Sequence, residues 1–368
     1  MAALGGGYQD YINQKRDGSP QMAQILNLKE LPAFLRQREK YCRGVIRHEI
    51  GMLMSMYDRN ANSDGLYQRT GIEKLKGLTS LFCDIGYSME IVSEATLKKD
   101  IAFPVLVVPE LYRGLEPETV AMLVRYVKDG GKLILVGSKA IRCFEEAGLP
   151  VGCGEEIGFT TFCVGRDPFL GSVAGACPLS GAEDGALAHL VLGKGEKPLA
   201  AVIPYGKGFV VPVGMNLGTD YNNLSQFMHK NLMRAILESL FTPDVRIESA
   251  RGSVDMVELE VGGRLMIQLV NTNGHHKSRN IATEDDIPPV IDLELSVKAE
   301  KKPSCVRLLP EGTALPFTCF AMSVKFSLLV KLRTKSLPVP QGSTATSTLV
   351  KPTAPLTTSQ RVPSPPVA

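Results

Sequence analysis

The stretch FPVLVVPELYRGLEPETVAMLVRYVKDGGKLILVGS, residues Phe103 to Ser138, decides the fold. Val105 to Val108 is a short apolar run, mostly β-branched, that stops at Pro109, as a strand buried on both faces of a parallel sheet does. Glu116-Pro117-Glu118-Thr119 then supplies the proline and acidic residues that suit a helix's first turn. Val120, Leu123, Val124 and Val127 recur at helical spacing, and Gly130-Gly131 stops the helix. A second buried run, Leu133 to Val136, follows. Strand, crossover helix and strand within about 35 residues predict a βαβ unit.

Working outward, the chain of 368 residues is long enough for two or three domains. Hydrophobic residues make up 44% and charged residues 21%, as in ordinary globular proteins. A net charge of +3 gives no reason to expect nucleic acid or an anionic membrane as partner. No apolar run approaches the roughly 20 residues of a spanning helix. The N-terminus, MAALGGGYQDYINQKRD, lacks a basic start followed by an apolar core, so a cytoplasmic location is expected. Eight cysteines without CxxC spacing suggest reduced thiols rather than a disulfide framework or a zinc site. No cofactor and no metal ligand set is read from the sequence.

Toward the N-terminus, Ala23 to Arg43 reads as helical, broken near Pro32. Glu49 to Ser55 is the first candidate core strand, with Tyr57-Asp58-Arg59-Asn60 beyond it. Tyr67 to Ile85 reads as a helix with Leu75, Leu78, Leu81 and Phe82 on its buried stripe, stopped by Gly86, and Met89 to Val92 is a second strand. Toward the C-terminus, residues 139–198 are Gly-rich and read as loops and weak strands. Ala200 to Ile203 and Phe209 to Val213 flank Tyr205-Gly206-Lys207-Gly208 as a hairpin. Asn222 to Leu240 reads as one helix. From Val245 the period becomes two: Val257, Leu259, Val261; Leu265, Ile267, Leu269; Ile291, Leu293, Leu295, Val297. With Val306 to Leu309 and Val324 to Val330, these predict a small antiparallel β-sandwich. The tail 334–368, with seven prolines among Ser, Thr and Ala, is expected to be disordered.

The order of these segments resembles the C-terminal half of bacterial glycoside hydrolases related to trimeric β-galactosidases. The resemblance rests on FLRQREKYCRG (34–44), VLVVPELYRGLEPETVAMLVRYVKDGGKLILVGS (105–138), YGKGFVVPVGMNLGTDY (205–221), LMIQLVNTNG (265–274) and IPPVIDLELSV (287–297), and covers roughly residues 20–330. It implies a flavodoxin-like, class I glutamine-amidotransferase-like α/β domain with helices on both faces of a parallel sheet, followed by a small β-sandwich. The expected divisions are 1–48 as the exit helix of a catalytic barrel plus linker, 49–243 as the α/β domain, 244–333 as the sandwich and 334–368 as the tail. The barrel itself has no counterpart here, since the residues before Glu49 amount to its last helix.

A glycosidase needs two carboxylates roughly 5–10 Å apart across the scissile bond, one held protonated. In the resembled enzymes both stand on the barrel, so the resemblance implies no catalytic residue here. Three positions are candidates for the crevice at the sheet's carboxyl ends, where open α/β sheets bind ligands. They are Glu110 after the strand 105–108, Asp58 after the strand 49–55, and Ser138 after the strand 133–136. The plain reading of Glu110 is a loop cap or a partner for Arg113. A nucleophile on a strand-to-helix elbow would fall near Ser138, or at Cys143 a turn later, but the small-x-nucleophile-x-small frame is lacking and no His-x-Glu pair occurs; His189 and His229 have structural readings. Gly206-Lys207-Gly208 lacks the frame of a phosphate loop. His275-His276 could chelate a metal only through a special turn, and Asn271 and Asn273 could meet sugar hydroxyls.

The expected role is a non-catalytic oligomerisation and scaffold part of a β-galactosidase-like glycoside hydrolase, inactive alone, self-associating as a trimer by resemblance, with carbohydrate as a possible ligand and neither nucleic acid nor membrane as partner. The alternatives are a stand-alone carbohydrate-binding or sensing module and an amidotransferase-like hydrolase using Ser138 or Cys143. The helix 23–43 is expected to expose Ile25, Leu28, Leu31 and Leu35 as an interface.

Overall fold

A computed structural model gives the structure, and it describes residues 3, 5–9, 11–61, 72–193, 195–251, 253–273, 287–298, 303–320 and 323–328. The expected tail 334–368 and His275-His276 lie outside the described residues. The chain divides into two compact units.

The larger unit comprises residues 43–247 and 255–268. Five strands, Ile50–Leu53, Glu90–Val92, Val105–Val108, Lys132–Val136 and Gly208–Val213, pair in parallel. Their spatial order is second, first, third, fourth, fifth. The first, third and fourth strands are buried along nearly their whole length, which is why they read as unbroken apolar runs.

Alternation within those runs sends neighbouring side chains to opposite faces. Val105 and Val107 join one core with Leu78, Leu81 and Phe82 of the helix Ile72–Ile85 and with Leu232 and Ile236 of Phe227–Leu240. Leu106 and Val108 join a second core with Leu123 and Val127 of Pro117–Lys128 and with Ile141 and Phe144 of Ser138–Glu145. Helices therefore cover both faces. The crossover helix starts at Pro117 with Glu118 in its first turn and Arg125 and Lys128 in its last, charges that oppose its dipole.

The expectation of loops and weak strands over 139–198 is corrected. The sheet continues there through antiparallel strands Gly195–Ala201, Ala186–Leu192, Thr160–Val164 and Gly171–Val173, in that order beyond Gly208–Val213. The hairpin is found as Ile203–Tyr205 against Gly208–Val213, with Tyr205 opposite Gly208. The single helix expected over 222–240 is two, Leu217–Leu224 and Phe227–Leu240, separated at Ser225, whose φ of 46° breaks the first. A second correction concerns the thiols: Cys153 and Cys177 form a disulfide with Cα atoms 5.8 Å apart.

The smaller unit comprises residues 1–42, 248–254 and 269–368. Its helices Met22–Leu28 and Leu31–Cys42 meet just ahead of Pro32. The expected exposed face is corrected, since Leu31 is buried and Ile25, Leu28 and Leu35 are half-buried. A four-stranded sheet runs Val245–Arg251, Ile291–Lys298, Ser323–Leu328, Thr318–Phe320, with residues from Glu248 belonging to this unit. Leu293 and Leu295 are buried while Asp292 and Glu294 are exposed, the period of two read from the sequence. Among the described residues, no helix is long and apolar enough to cross a membrane.

Candidate functional site at the carboxyl ends of the parallel strands

The strands Ile50–Leu53 and Val105–Val108 are neighbours in the sheet, and the segments that leave their carboxyl ends carry Asp58 and Glu110. Asp58 sits in the first turn of the short helix Met56–Ala61 and is buried. Its Oδ1 accepts the backbone N–H groups of Tyr112 (2.8 Å), Arg113 (2.6 Å) and Gly114 (3.2 Å). Its Oδ2 accepts Lys74 Nζ at 2.9 Å, with both side chains largely shielded from water. Three of these four donors fix the loop after the third strand onto the helix Met56–Ala61, and Lys74 ties in the helix Ile72–Ile85.

Glu110 is buried and reaches further. Its Oε1 accepts the N–H groups of Gly218 (2.6 Å) and Thr219 (3.0 Å), the opening turn of the helix Leu217–Leu224. A carboxylate there satisfies donors that have no partner inside the helix and meets the positive end of its dipole. Oε2 is buried without a hydrogen-bond partner among the described residues. Burial raises the Glu110 pKa, against the lowering pull of the backbone amides and of Lys74. The expected pairing of Glu110 with Arg113 is not formed: the Arg113 guanidinium stands 4.9 Å from the centre of the Tyr57 ring.

The helix that Glu110 caps lies at backbone contact with its neighbour. A Cβ on Gly77 would fall 1.8 Å from the carbonyl oxygen of Gly218, and one on Gly218 would fall 2.3 Å from that of Lys74. The two glycines set the depth at which Leu217–Leu224 packs on Ile72–Ile85, and so bring Gly218 within reach of Glu110.

Ser138 opens the helix Ser138–Glu145 and is half-buried. The elbow between strand and helix is the residue before it, Gly137, with φ 86° and ψ 154°. A side chain at that position would meet Asn216 Oδ1 at 2.9 Å and Glu110 Cγ at 3.3 Å. The space that an elbow nucleophile would occupy is therefore taken by Glu110 and Asn216. No base serves Ser138 from the histidines singled out by sequence. His229 is buried, stacked on Phe162 at 5.8 Å and bonded to the Ser172 carbonyl, with burial lowering its pKa. His189 lies on the third strand beyond Lys132–Val136, roughly 14 Å away at the usual strand spacing. Cys143 is a half-buried thiol in the next helical turn, near Gly114.

Beside Asp58 a cavity of about 510 Å3 opens, lined by Tyr57, Asn60, Glu94, Lys98, Arg113 and Glu116 among others. Glu94 caps Met56–Ala61 through the Met56 N–H at 3.1 Å and keeps a second, buried oxygen without a partner among the described residues. Lys98 stands 3.9 Å from Glu116 and 3.8 Å from Glu118. Such mixed charge suits a small polar ligand but assembles no nucleophile with its base.

The structure thus brings Asp58 and Glu110 to one end of the sheet and turns both inward onto backbone amides. The residues that sequence reading missed are Lys74, Asn216 and Gly218, and no local signal marks them, because each acts across a long stretch of chain. Asn271 and Asn273 are committed elsewhere: both donate to the Pro288 carbonyl, and Asn273 Oδ1 accepts the Ser253 N–H. Among the described residues, the one cluster of metal-ligating side chains is Cys163, His189 and Glu196 on the antiparallel strands.

No family model and no curated protein matches this chain. Solved structures do. An α-L-fucosidase isoenzyme 2 from Paenibacillus thiaminolyticus aligns with a TM-score of 0.64 at 14% identity, over 86% of this chain and 52% of that one. A catalytic mutant of a GH42 β-galactosidase from G. stearothermophilus aligns at 0.55 and 13% identity, over 85% and 45%. The β-galactosidase of Bacillus circulans sp. alkalophilus aligns at 0.55 and 15%, over 85% and 46%. The fold is therefore one that occurs in glycoside hydrolases, and the chain spans about half the length of the structures it matches.

Proposed function

We propose that this chain is the non-catalytic oligomerisation and scaffold part of a β-galactosidase-like glycoside hydrolase. The observation that carries the reading is Gly137 at the elbow, its side-chain space filled by Glu110 and Asn216. A catalytic α/β domain would keep that place for a nucleophile and would leave its carboxylates free to meet a substrate. Here both oxygens of Asp58 and the Oε1 of Glu110 serve as caps and ties, the work of a scaffold.

The finer assignments belong to the same proposal. The strand order second-first-third-fourth-fifth, with helices on both faces, supports a flavodoxin-like, amidotransferase-like α/β domain over 49–243. The four-stranded sheet, antiparallel across Ile291–Lys298, Ser323–Leu328 and Thr318–Phe320, supports a β-sandwich over 244–333. Self-association into a trimer and a place in carbohydrate metabolism are part of the same proposal, and the fold shared with the fucosidase and β-galactosidases supports them.

The test joins two measurements on the full chain. Aryl galactosides, fucosides and arabinosides are expected to remain intact, and sedimentation is expected to give a homo-oligomer. Turnover that disappears in Glu110→Gln would overturn the non-catalytic reading, and a monomer at micromolar concentration would overturn the oligomeric one.

A further inference from the structure

The antiparallel half of the large sheet holds a second constellation, independent of the carboxylates at the strand ends. Cys163 on Thr160–Val164 and His189 on Ala186–Leu192 are register partners. Glu196 on Gly195–Ala201 is the register partner of Val191, two residues along from His189. Side chains alternate along each strand, so Cys163, His189 and Glu196 leave the same face. The intervening partners Phe162 and Leu190 leave the other and join the core.

The ligand atoms of the three residues lie within 4.8 Å of one another. Metal bonds of about 2.0–2.3 Å in a tetrahedron require ligand atoms roughly 3.3–3.8 Å apart. Closing about 1 Å is within the reach of Glu196, which is exposed and free to change rotamer, against a buried Cys163 and a half-buried His189. Cys163 otherwise has only a weak contact from its thiol to the His189 carbonyl at 3.8 Å. Among the described residues, no hydrogen bond or ion pair engages the His189 ring or the Glu196 carboxylate.

We propose that Cys163, His189 and Glu196 form a three-ligand site for a borderline divalent transition ion, zinc foremost, with water in the fourth position. One thiolate, one imidazole and one carboxylate favour zinc over magnesium or calcium, which take oxygen ligands. On binding, the sulfur–metal bond forms as the thiol proton leaves to solvent. Burial and the charge of Glu196 raise the Cys163 pKa, so proton and metal compete and affinity rises with pH. The ion would staple the three strands on the face opposite the one that carries Phe162 and Leu190 into the core.

Cobalt(II) titration of the metal-free full chain tests the site. One equivalent is expected to produce a saturable thiolate-to-cobalt charge-transfer absorption that zinc abolishes. The band should vanish in Cys163→Ser, persist in Cys319→Ser, where the altered cysteine is exposed, and need at least tenfold more cobalt in His189→Gln and in Glu196→Gln. Should Cys163→Ser fail to fold, the two polar-ligand variants decide, with circular dichroism as the check on folding. No saturable band, a band surviving Cys163→Ser, or unchanged affinity in both His189→Gln and Glu196→Gln would overturn the proposal.

Discussion

Glu110 accepts the backbone N–H of Gly218 at 2.6 Å, a contact between residues 108 apart in sequence. It ties the carboxyl end of a central strand to the start of a helix on one face of the sheet. Removing the carboxylate leaves the amides of Gly218 and Thr219 without their acceptor. Glu110→Ala is expected to cost about 2–4 kcal/mol in urea unfolding, while Glu110→Gln, which keeps a neutral acceptor, should stay within about 1 kcal/mol of the parent. An alanine variant as stable as the parent would show that the cap contributes nothing.

Asp58 and Lys74 should behave as a coupled pair. Asp58→Ala strands a shielded ammonium and three amide donors, at a cost of about 3 kcal/mol. Lys74→Met should cost less, because Asp58 keeps its amides. A double-mutant cycle by denaturant unfolding is expected to give a coupling of about 1–2 kcal/mol, and strict additivity would contradict the pairing.

Glu258 gives the larger unit a pH dependence. It is buried, accepts the Ser88 hydroxyl, and has its pKa raised to about 7, first by burial, with Glu49 and Asp244 adding to the shift. The folded state therefore holds this proton more tightly than the unfolded state does. The corresponding stability is fully present below about pH 4.5 and is lost as pH rises to about 7. The loss is on the order of 3 kcal/mol. Glu258→Gln should flatten this window, and parallel stability curves for parent and variant between pH 4.5 and 8 would refute the assignment.

The Cys153–Cys177 disulfide closes a loop with a sequence separation of 24. Loop-closure entropy for that length is worth about 3 kcal/mol. The double variant Cys153→Ala, Cys177→Ala should lower the denaturant midpoint accordingly, and thiol counting without reductant should find both sulfurs blocked. A cytoplasmic location, proposed from the sequence, and a closed disulfide are in tension, because cytosolic thiols are held reduced. Free thiols at both positions in protein isolated from the cytosol would show the reduced form to be the resident one.

By itself the sequence determined the parallel core, because each signal there is local. Val105 to Val108 and Leu133 to Val136 are apolar at every position, as burial on both faces requires, and Pro117, Glu118 and Gly130 mark the helix ends within a few residues of chain. It also placed Asp58, Glu110 and Ser138 at one end of the sheet, since strand ends follow from strand identity. What those residues do was decided only by the tertiary structure. The partners of Glu110 arrive with a helix that Gly77 and Gly218 let settle at backbone contact. The elbow is empty of a nucleophile because Gly137, not Ser138, takes the positive φ. The antiparallel strands over 160–201, the Cys153–Cys177 pairing and the meeting of Cys163, His189 and Glu196 share that cause. Half-buried strands carry a weak periodic signal, and which of them become neighbours is set by pairings between distant residues that no short window of sequence contains.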